Sequence, residues 1–359
     1  MKYTLSTVFI CSSFLMPSEV SAQAISCGQD YTVRSGDFLS GIAQRAYGSP
    51  ESFSLIYNAN AETIGRDPAL IRVGQKLIIP CLSEEIGEST ASAENIRREQ
   101  TTEALPGPSQ NRPIRVLTGT GWAPFADEDQ AQGGMLTEIT NLALAEANGN
   151  PDYQIDFIND GGAHLTPLLT DHAYDFSIGW SRPNCELLDQ LNDDSQFRCN
   201  NFNWTEPLYR QIIAYYTIGG ITEYTEHSQL VGKSLCRAEG FSTAMIEEVG
   251  LREPEISIVR RPDSLGCLEA VIEGEVDVAV VATDAAEPML SNLEDPSSIM
   301  FHEQLSYVSP IRALIAKTHP QSEELVATFN SGLTQIKDSG VWFTTVRRHL
   351  EEFNASYSE

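Results

Sequence analysis

The chain has 359 residues, of which fifty are acidic and twenty-three basic, a formal net charge of −27 at pH 7. A surface this acidic repels nucleic acid and anionic membrane faces, which excludes both as partners. The excess is uneven: residues 25–81 carry five acids and five bases, whereas residues 113–359 carry thirty-eight acids against fourteen bases.

At the N-terminus, Lys2 precedes a mostly apolar run over 4–16, and Val20-Ser21-Ala22 and Ala22-Gln23-Ala24 offer small-residue cleavage sites. That order predicts a cleaved signal peptide over 1–24, and the run is too short for a permanent membrane anchor. The expected location is periplasmic or secreted, with no membrane span. Cleavage removes Cys11 and leaves Cys27, Cys81, Cys185, Cys199, Cys236 and Cys267. An even number in an exported chain points to disulfides, although six cysteines admit many connectivities. Their layout favours sequential pairs, because Cys27 and Cys81 bracket one segment, Cys185 and Cys199 another, and Cys236 and Cys267 a third. No Cys-x-x-Cys occurs and the six histidines are scattered, so neither a metal nor another cofactor is expected.

Between the first two cysteines, Tyr31, Thr32 and Val33 favour a strand. Gly36-Asp37 supplies a turn or helix entry, and Leu39, Ile42, Ala43 and Ala46 repeat at helical spacing. Phe53, Ile56 and Tyr57 mark a second short helix and residues 76–79 a closing strand. The run Tyr31-Thr32-Val33-Arg34-Ser35-Gly36-Asp37, followed by Tyr57-Asn58-Ala59-Asn60 and Val73-Gly74-Gln75-Lys76-Leu77-Ile78-Ile79-Pro80, resembles a LysM module over its whole length. The resemblance implies a small βααβ fold over 25–81 that binds peptidoglycan or another N-acetylglucosamine polymer between two loops. Those loops map onto Gly36, Asp37, Phe38 and Leu39 on one side and onto Leu70 and Ile71 on the other. Phe38 replaces the threonine usual in that family.

Residues 82–112 are rich in Glu, Ser, Thr and Ala, include Pro106-Gly107-Pro108, and hold few large apolar residues, which predicts a flexible acidic linker. Beyond it, strand patterns at 114–117, 153–158, 174–178, 212–216, 234–236, 256–259, 277–281 and 311–316 alternate with helical patterns at 135–147, 164–169, 242–249 and 265–272. Helices from Glu323 and Gly340 close the chain. Alternation of this kind implies α/β sheets. Gly232-Lys233-Ser234 looks like the end of a phosphate loop, but His227 stands where its first glycine belongs.

Seven short stretches of this body follow one family's order. They are Gly119-Thr120-Gly121-Trp122-Ala123-Pro124-Phe125, Gly133-Gly134-Met135, Tyr174-Asp175-Phe176-Ser177-Ile178-Gly179, Phe202-Asn203-Trp204-Thr205-Glu206-Pro207-Leu208-Tyr209, Leu230-Val231-Gly232-Lys233-Ser234, Gly274-Glu275-Val276-Asp277-Val278-Ala279-Val280 and Gly340-Val341-Trp342. The body resembles the bacterial periplasmic solute-binding proteins of family 3, with the type 2 periplasmic binding fold. The resemblance implies two lobes in a solute-binding domain over 113–359. Lobe one would span about 113–208 and 309–353, lobe two about 212–305, with ligand held in the cleft between them.

On that resemblance Trp122 would stack on a ligand, beside Trp180. Arg182, in Ser181-Arg182-Pro183-Asn184, stands near the position of the family's carboxylate-binding arginine. The family aspartate that takes an amino group falls where Ala282 sits, with Asp284 two positions late. Gly240, Phe241, Ser242 and Thr243 precede a helix in lobe two and offer either an anion site or a plain helix cap. The expected function is an exported, non-enzymatic, peptidoglycan-associated protein that captures a small polar solute for an ABC transporter permease or receptor. The alternatives are a peptidoglycan-remodelling enzyme or accessory factor, and a wall-bound scaffold with no small ligand.

Overall fold

The structure is a computed structural model and describes residues 25–34, 37–47, 53–65, 71–81, 112–221, 223–239, 241–291 and 298–357. The expected signal peptide, nearly all of the expected linker, and Gly36, Leu70 and Gly240 lie outside the described residues.

The N-terminal module is βααβ, as expected. β1 (Asp30–Thr32), α1 (Leu39–Tyr47), α2 (Phe53–Ile64) and β2 (Lys76–Ile78) follow in order, and β1 pairs antiparallel with β2, Tyr31 facing Leu77. Tyr31, Ile42, Ala43, Ile56, Tyr57, Leu77 and Ile79 bury themselves in one small core. Asn60, buried on α2, donates through Nδ2 to the carbonyls of Ile56 and Ile78, and its Oδ1 accepts from the Ile78 amide at 2.7 Å. One side chain thus ties helix to strand where a backbone ladder cannot reach. Cys27 and Cys81 are joined, closing the module's ends.

The body is two-lobed. Lobe one is built from β3 (Ile114–Thr118), α3 (Met135–Ala145), β4 (Tyr153–Phe157), α4 (Gly161–Ala163) with a wider turn over His164–Leu169, β5 (Phe176–Ser181), α5 (Asp193–Asn201) and β6 (Phe202–Trp204). β7 (Tyr209–Ile218) leaves it. Lobe two follows with β8 (Ser234–Ala238), α6 (Ala244–Glu248), β9 (Ser257–Arg261), α7 (Ser264–Ile272), β10 (Val278–Ala282), α8 (Thr283–Ser291) and β11 (Ile299–Phe301). β12 (Tyr307–Ala316) returns to lobe one, where α9 (Ser322–Asp338) and α10 (Val341–Ser356) complete it.

Ten strands form one continuous sheet in the order β4-β3-β5-β12-β7-β10-β8-β9, with β6 on β12 and β11 on β7. β7 and β12 pair antiparallel from Tyr307 opposite Ile213 to Ile311 opposite Tyr209. Past that crossing β7 runs on beside β10 in lobe two, and β12 runs on beside β5 and β6 in lobe one, with a register shift between Arg312 and Ala313. These two strands are the hinge. Each lobe has its own core, with Val116, Met135, Phe176, Phe329 and Trp342 in one and Leu235, Ile246, Val278 and Val280 in the other. Gly332, the one glycine of α9, is forced by packing, since a Cβ there would lie 1.7 Å from the Ala143 carbonyl oxygen on α3.

The sequence patterns did not reveal α5. It forms because Asn192 caps it, accepting from the Ser195 amide at 2.9 Å, and because Asp193 and Asp194 favour the positive end of its dipole. With little apolar content it has no helical stripe to read.

The linker was expected to let the LysM-like module stand apart from the body, yet the module packs against it. Ile212 of β7 and Val308 of β12 join the module's core, while Leu55 of α2 is buried in the lobe-one core and Tyr47 packs against both. Glu62 lies 3.8 Å from Arg210 at the edge of the contact. Because side chains alternate along a strand, Arg210, Ile212 and Val308 face the module while Gln211 and Ile311 face the cleft.

Candidate functional site in the interlobe cleft

A cavity of about 500 Å³ lies between the lobes, at the C-terminal ends of β3, β4, β5 and β8. Parallel strands present loops and helix N-termini at that edge, which is where α/β folds place ligands.

Lobe one supplies two indoles. The turn after β3 folds back on itself, the Trp122 amide donating to the Ala126 carbonyl at 3.0 Å, and this fixes Trp122 at the rim. Gly179 makes room for it: its φ is +92°, and a Cβ there would lie 3.3 Å from the Trp122 ring. Trp122 meets Phe241 of lobe two edge-to-face at 5.6 Å, so aromatic contact already spans the cleft. Trp180 is held by a relay. Its Nε1 donates to Ser177 Oγ at 2.7 Å, Ser177 lies 2.8 Å from His164 Nδ1, and His164 Nε2 lies 2.7 Å from the Ile158 carbonyl. The carbonyl can only accept, so Nε2 carries the proton and Nδ1 accepts from the serine. Burial holds His164 below its ordinary pKa, which suits this neutral form.

Two buried guanidinium groups face the cavity from opposite lobes. Arg198, on α5, is 8% exposed; its Nη2 donates to Ser195 Oγ, its Nε has no partner, and it lies 5.9 Å from the Trp180 ring centre. Burial lowers its pKa, with Asp194 partly opposing. Arg237, on β8, is 4% exposed and donates to the carbonyls of Val280 at 2.8 Å and Ser242 at 3.3 Å, with its charge 5.1 Å from the Phe241 ring centre. Burial pushes its pKa down to about 10. Neither arginine forms an ion pair with a carboxylate among the described residues. Gln211, 2% exposed at the hinge, adds an amide nitrogen with no partner. Asp160, Glu239 and Asp263 bring carboxylates to the same cavity, although Asp160 and Asp263 also cap helices.

Of the residues expected from sequence, Trp122, Trp180, Phe241 and Ser242 line this cavity. Arg182 does not. It is exposed and lines a small adjoining recess with Arg198 and Ser242. Thr243 N-caps α6, its hydroxyl donating to Glu247, and is absent from the cavity wall. Asp284 is buried, accepts from the Tyr209 hydroxyl at 2.7 Å, and also stays out of the cavity. The residues missed were Arg198, Arg237, Gln211 and His164. A signal for Arg237 existed: it is a lone cation inside a buried parallel strand, where charges are rare without a purpose.

The disulfides Cys185–Cys199 and Cys236–Cys267 each sit one residue from a cleft arginine and anchor the backbone that presents it. In the N-terminal module Phe38 is 56% exposed, whereas Leu39 is buried in the core and does not face a groove. Asp37 is a structural hub, its carboxylate accepting from the Tyr31 hydroxyl, the Arg34 amide and Arg45 at 2.6–2.7 Å. Burial acts to raise its pKa, but these hydrogen bonds outweigh that and hold it below the usual range. Ile71 is half-buried. Among the described residues no helix is long and apolar enough to cross a membrane, and no His, Cys, Asp and Glu group is placed to hold a metal ion.

Residues 31–80 match the LysM domain family model. No curated protein matches the chain significantly. The body is similar in fold to solved two-lobed proteins. An ancestral arginine-binding protein bound to arginine is 16% identical, with 66% of this chain and 97% of that one covered, at a TM-score of 0.49. The arginine-, lysine-, histidine-binding protein ArtJ from Geobacillus stearothermophilus is 15% identical, with 66% and 94% covered, at 0.47. The ancestral amino acid-binding protein AncCDT-1, a precursor of cyclohexadienyl dehydratase, is 16% identical, with 66% and 95% covered, at 0.48.

Proposed function

We infer that this is an exported, wall-associated binding protein whose cleft captures a small solute bearing a carboxylate or similar anion, for delivery to an ABC transporter permease or a receptor. One observation carries the reading: Arg198 and Arg237 bring two buried positive charges, one from each lobe, to a single cavity, and neither is ion-paired with a carboxylate among the described residues. Desolvated charge is unfavourable alone, and an anion placed between the two relieves both at once. Because its contacts come from both lobes, such a ligand favours the closed arrangement. Trp122, Trp180 and Phe241 would flank an apolar or planar portion, and Glu239 would take an amino group. The LysM module would hold peptidoglycan or a related N-acetylglucosamine polymer. His164 and the fully buried Ser177 are taken up in holding Trp180, so this pair serves the cleft wall.

Thermal-shift screening of the full chain against common amino acids and di- and tricarboxylates, followed by calorimetry on the best hit, tests this. Replacing Arg198 with alanine removes a charge-assisted bond worth about 1.5–3 kcal/mol, so affinity should fall roughly ten- to a hundredfold. Unchanged affinity in a folded Arg198→Ala variant, or equal binding of the hit's uncharged amide analogue, would sink the anion reading.

A further inference from the structure

The LysM module sits on the back of the hinge. Its contacts divide between the pivot strands, through Ile212 and Val308, and lobe one, through Leu55 and Tyr47. Opening of the cleft must turn β7 and β12 relative to lobe one, because these are the strands that pass between the lobes. A body that grips both the pivot and one lobe resists that rotation.

A second element runs from the module to the cleft. Gly340, just before α10, lies close to the Cys81 carbonyl, and α10 packs beside α2. Sixteen residues make α10 about 24 Å long. Along its length it packs on α3 and α9 of lobe one, and then on α8 of lobe two. Its far end places Phe353 and Tyr357 on the cleft wall, their rings 5.2 Å apart. The lobes meet in this arrangement, since the Asn184 amide donates to Glu248 across the cleft at 3.0 Å and Asn192 donates to Glu247.

We propose that the LysM module is a clasp on the hinge, so that its docking and closure of the solute cleft are linked. Whatever holds the module on the body favours the closed lobes, and whatever closes the lobes favours the docked module, since coupling between two equilibria is reciprocal. A glycan that pulls the module away would therefore loosen the cleft. The inference needs no solute, so it stands or falls apart from the reading of the cleft above.

The test uses the full chain with a protease site inserted within residues 82–111, and hydrogen exchange at the Asn184 amide and over α6. Two substitutions detach the module by different means. Leu55→Ser removes the apolar contact with lobe one. Arg210→Glu sets like charge against Glu62 and leaves the module's own core untouched. After cleavage the wild-type module should co-elute with the body, and each variant should release it. In the uncleaved variants, exchange at Asn184 and over α6 should rise about tenfold, within the usual range for coupled sites. Release of the wild-type module on cleavage would overturn the proposal. So would variants that release the module but raise exchange only beneath its footprint, at Ile212, Val308 and their neighbours.

Discussion

Arg237 separates a binding residue from a structural one, because its loss should remove ligand binding while leaving stability nearly unchanged. Its pKa falls from the ordinary arginine value to about 10 through burial. Each pKa unit corresponds to about 1.4 kcal/mol, so the charged form is disfavoured in the folded, ligand-free protein by about 3 kcal/mol. The group is protonated in the folded and unfolded chains alike at neutral pH, so this penalty is present in full there and fades only as pH rises past about 10. Replacement with methionine keeps most of the volume and removes the charge. It also strands the carbonyls of Val280 and Ser242, which accept from Arg237, at about 1–3 kcal/mol. The two effects are of similar size and opposite sign. Urea unfolding of Arg237→Met without ligand should therefore show a change within about 2 kcal/mol of zero, while ligand-induced stabilisation is lost. A variant that loses more than about 4 kcal/mol yet still binds would show that Arg237 holds the fold and that the cleft takes its ligand elsewhere.

Lys337, half-buried and donating to the Pro207 carbonyl at 3.0 Å, has its pKa lowered to about 8 by burial and by the nearby charges of Arg210 and Arg312. Its folded value lies below its unfolded one, so stability should rise between about pH 8 and 10 as the proton leaves. That rise should flatten in Lys337→Met, as read by thermal unfolding across that range. Asp37 behaves in the opposite sense. Its lowered pKa means that its contribution is present above the ordinary carboxylate range and lost on acidification, so the LysM module should loosen in acid. Asp37→Asn should remove that acid-sensitive step and destabilise the module by about 1–3 kcal/mol at neutral pH, followed by amide exchange over α1.

The architecture was legible because two kinds of pattern agree. Fully buried strands such as Val278–Ala282 read as unbroken apolar runs, and the helices between them show apolar spacing at three and four residues. The LysM segment was legible for the same reason, with turn residues falling between the apolar runs. The cleft was legible only in its aromatic part. Trp122 falls in the turn just past β3 and Trp180 near the end of β5, so counting along the strands finds them. Arg198 lies in a polar helix whose placement depends on Cys185–Cys199 and on the Asn192 cap, and no local pattern says which face of that helix meets the cleft. Arg182 was expected in the site because it stands near the position of the family's carboxylate-binding arginine, yet it is exposed beside the cleft. Docking of the LysM module was illegible for a different reason. Leu55 and Ile212 look like ordinary core positions of their own units, and nothing local distinguishes a residue that buries itself against a distant surface.

The strand shared between lobes also imposes an order on assembly. β12 is made after the whole of lobe two, yet it lies between β5 and β7 in the sheet. During synthesis the edge of β5 therefore waits, unpaired, while lobe two can close around β8, β9 and β10, whose partners are near in sequence. The LysM module, complete by Cys81, waits longer still. Val308, half of the apolar seat that receives it, is among the last parts of the body to emerge. Until then Leu55 has no core to enter, and an early-folded module carries a patch of exposed apolar surface through most of translation, which is the interval in which such surfaces aggregate.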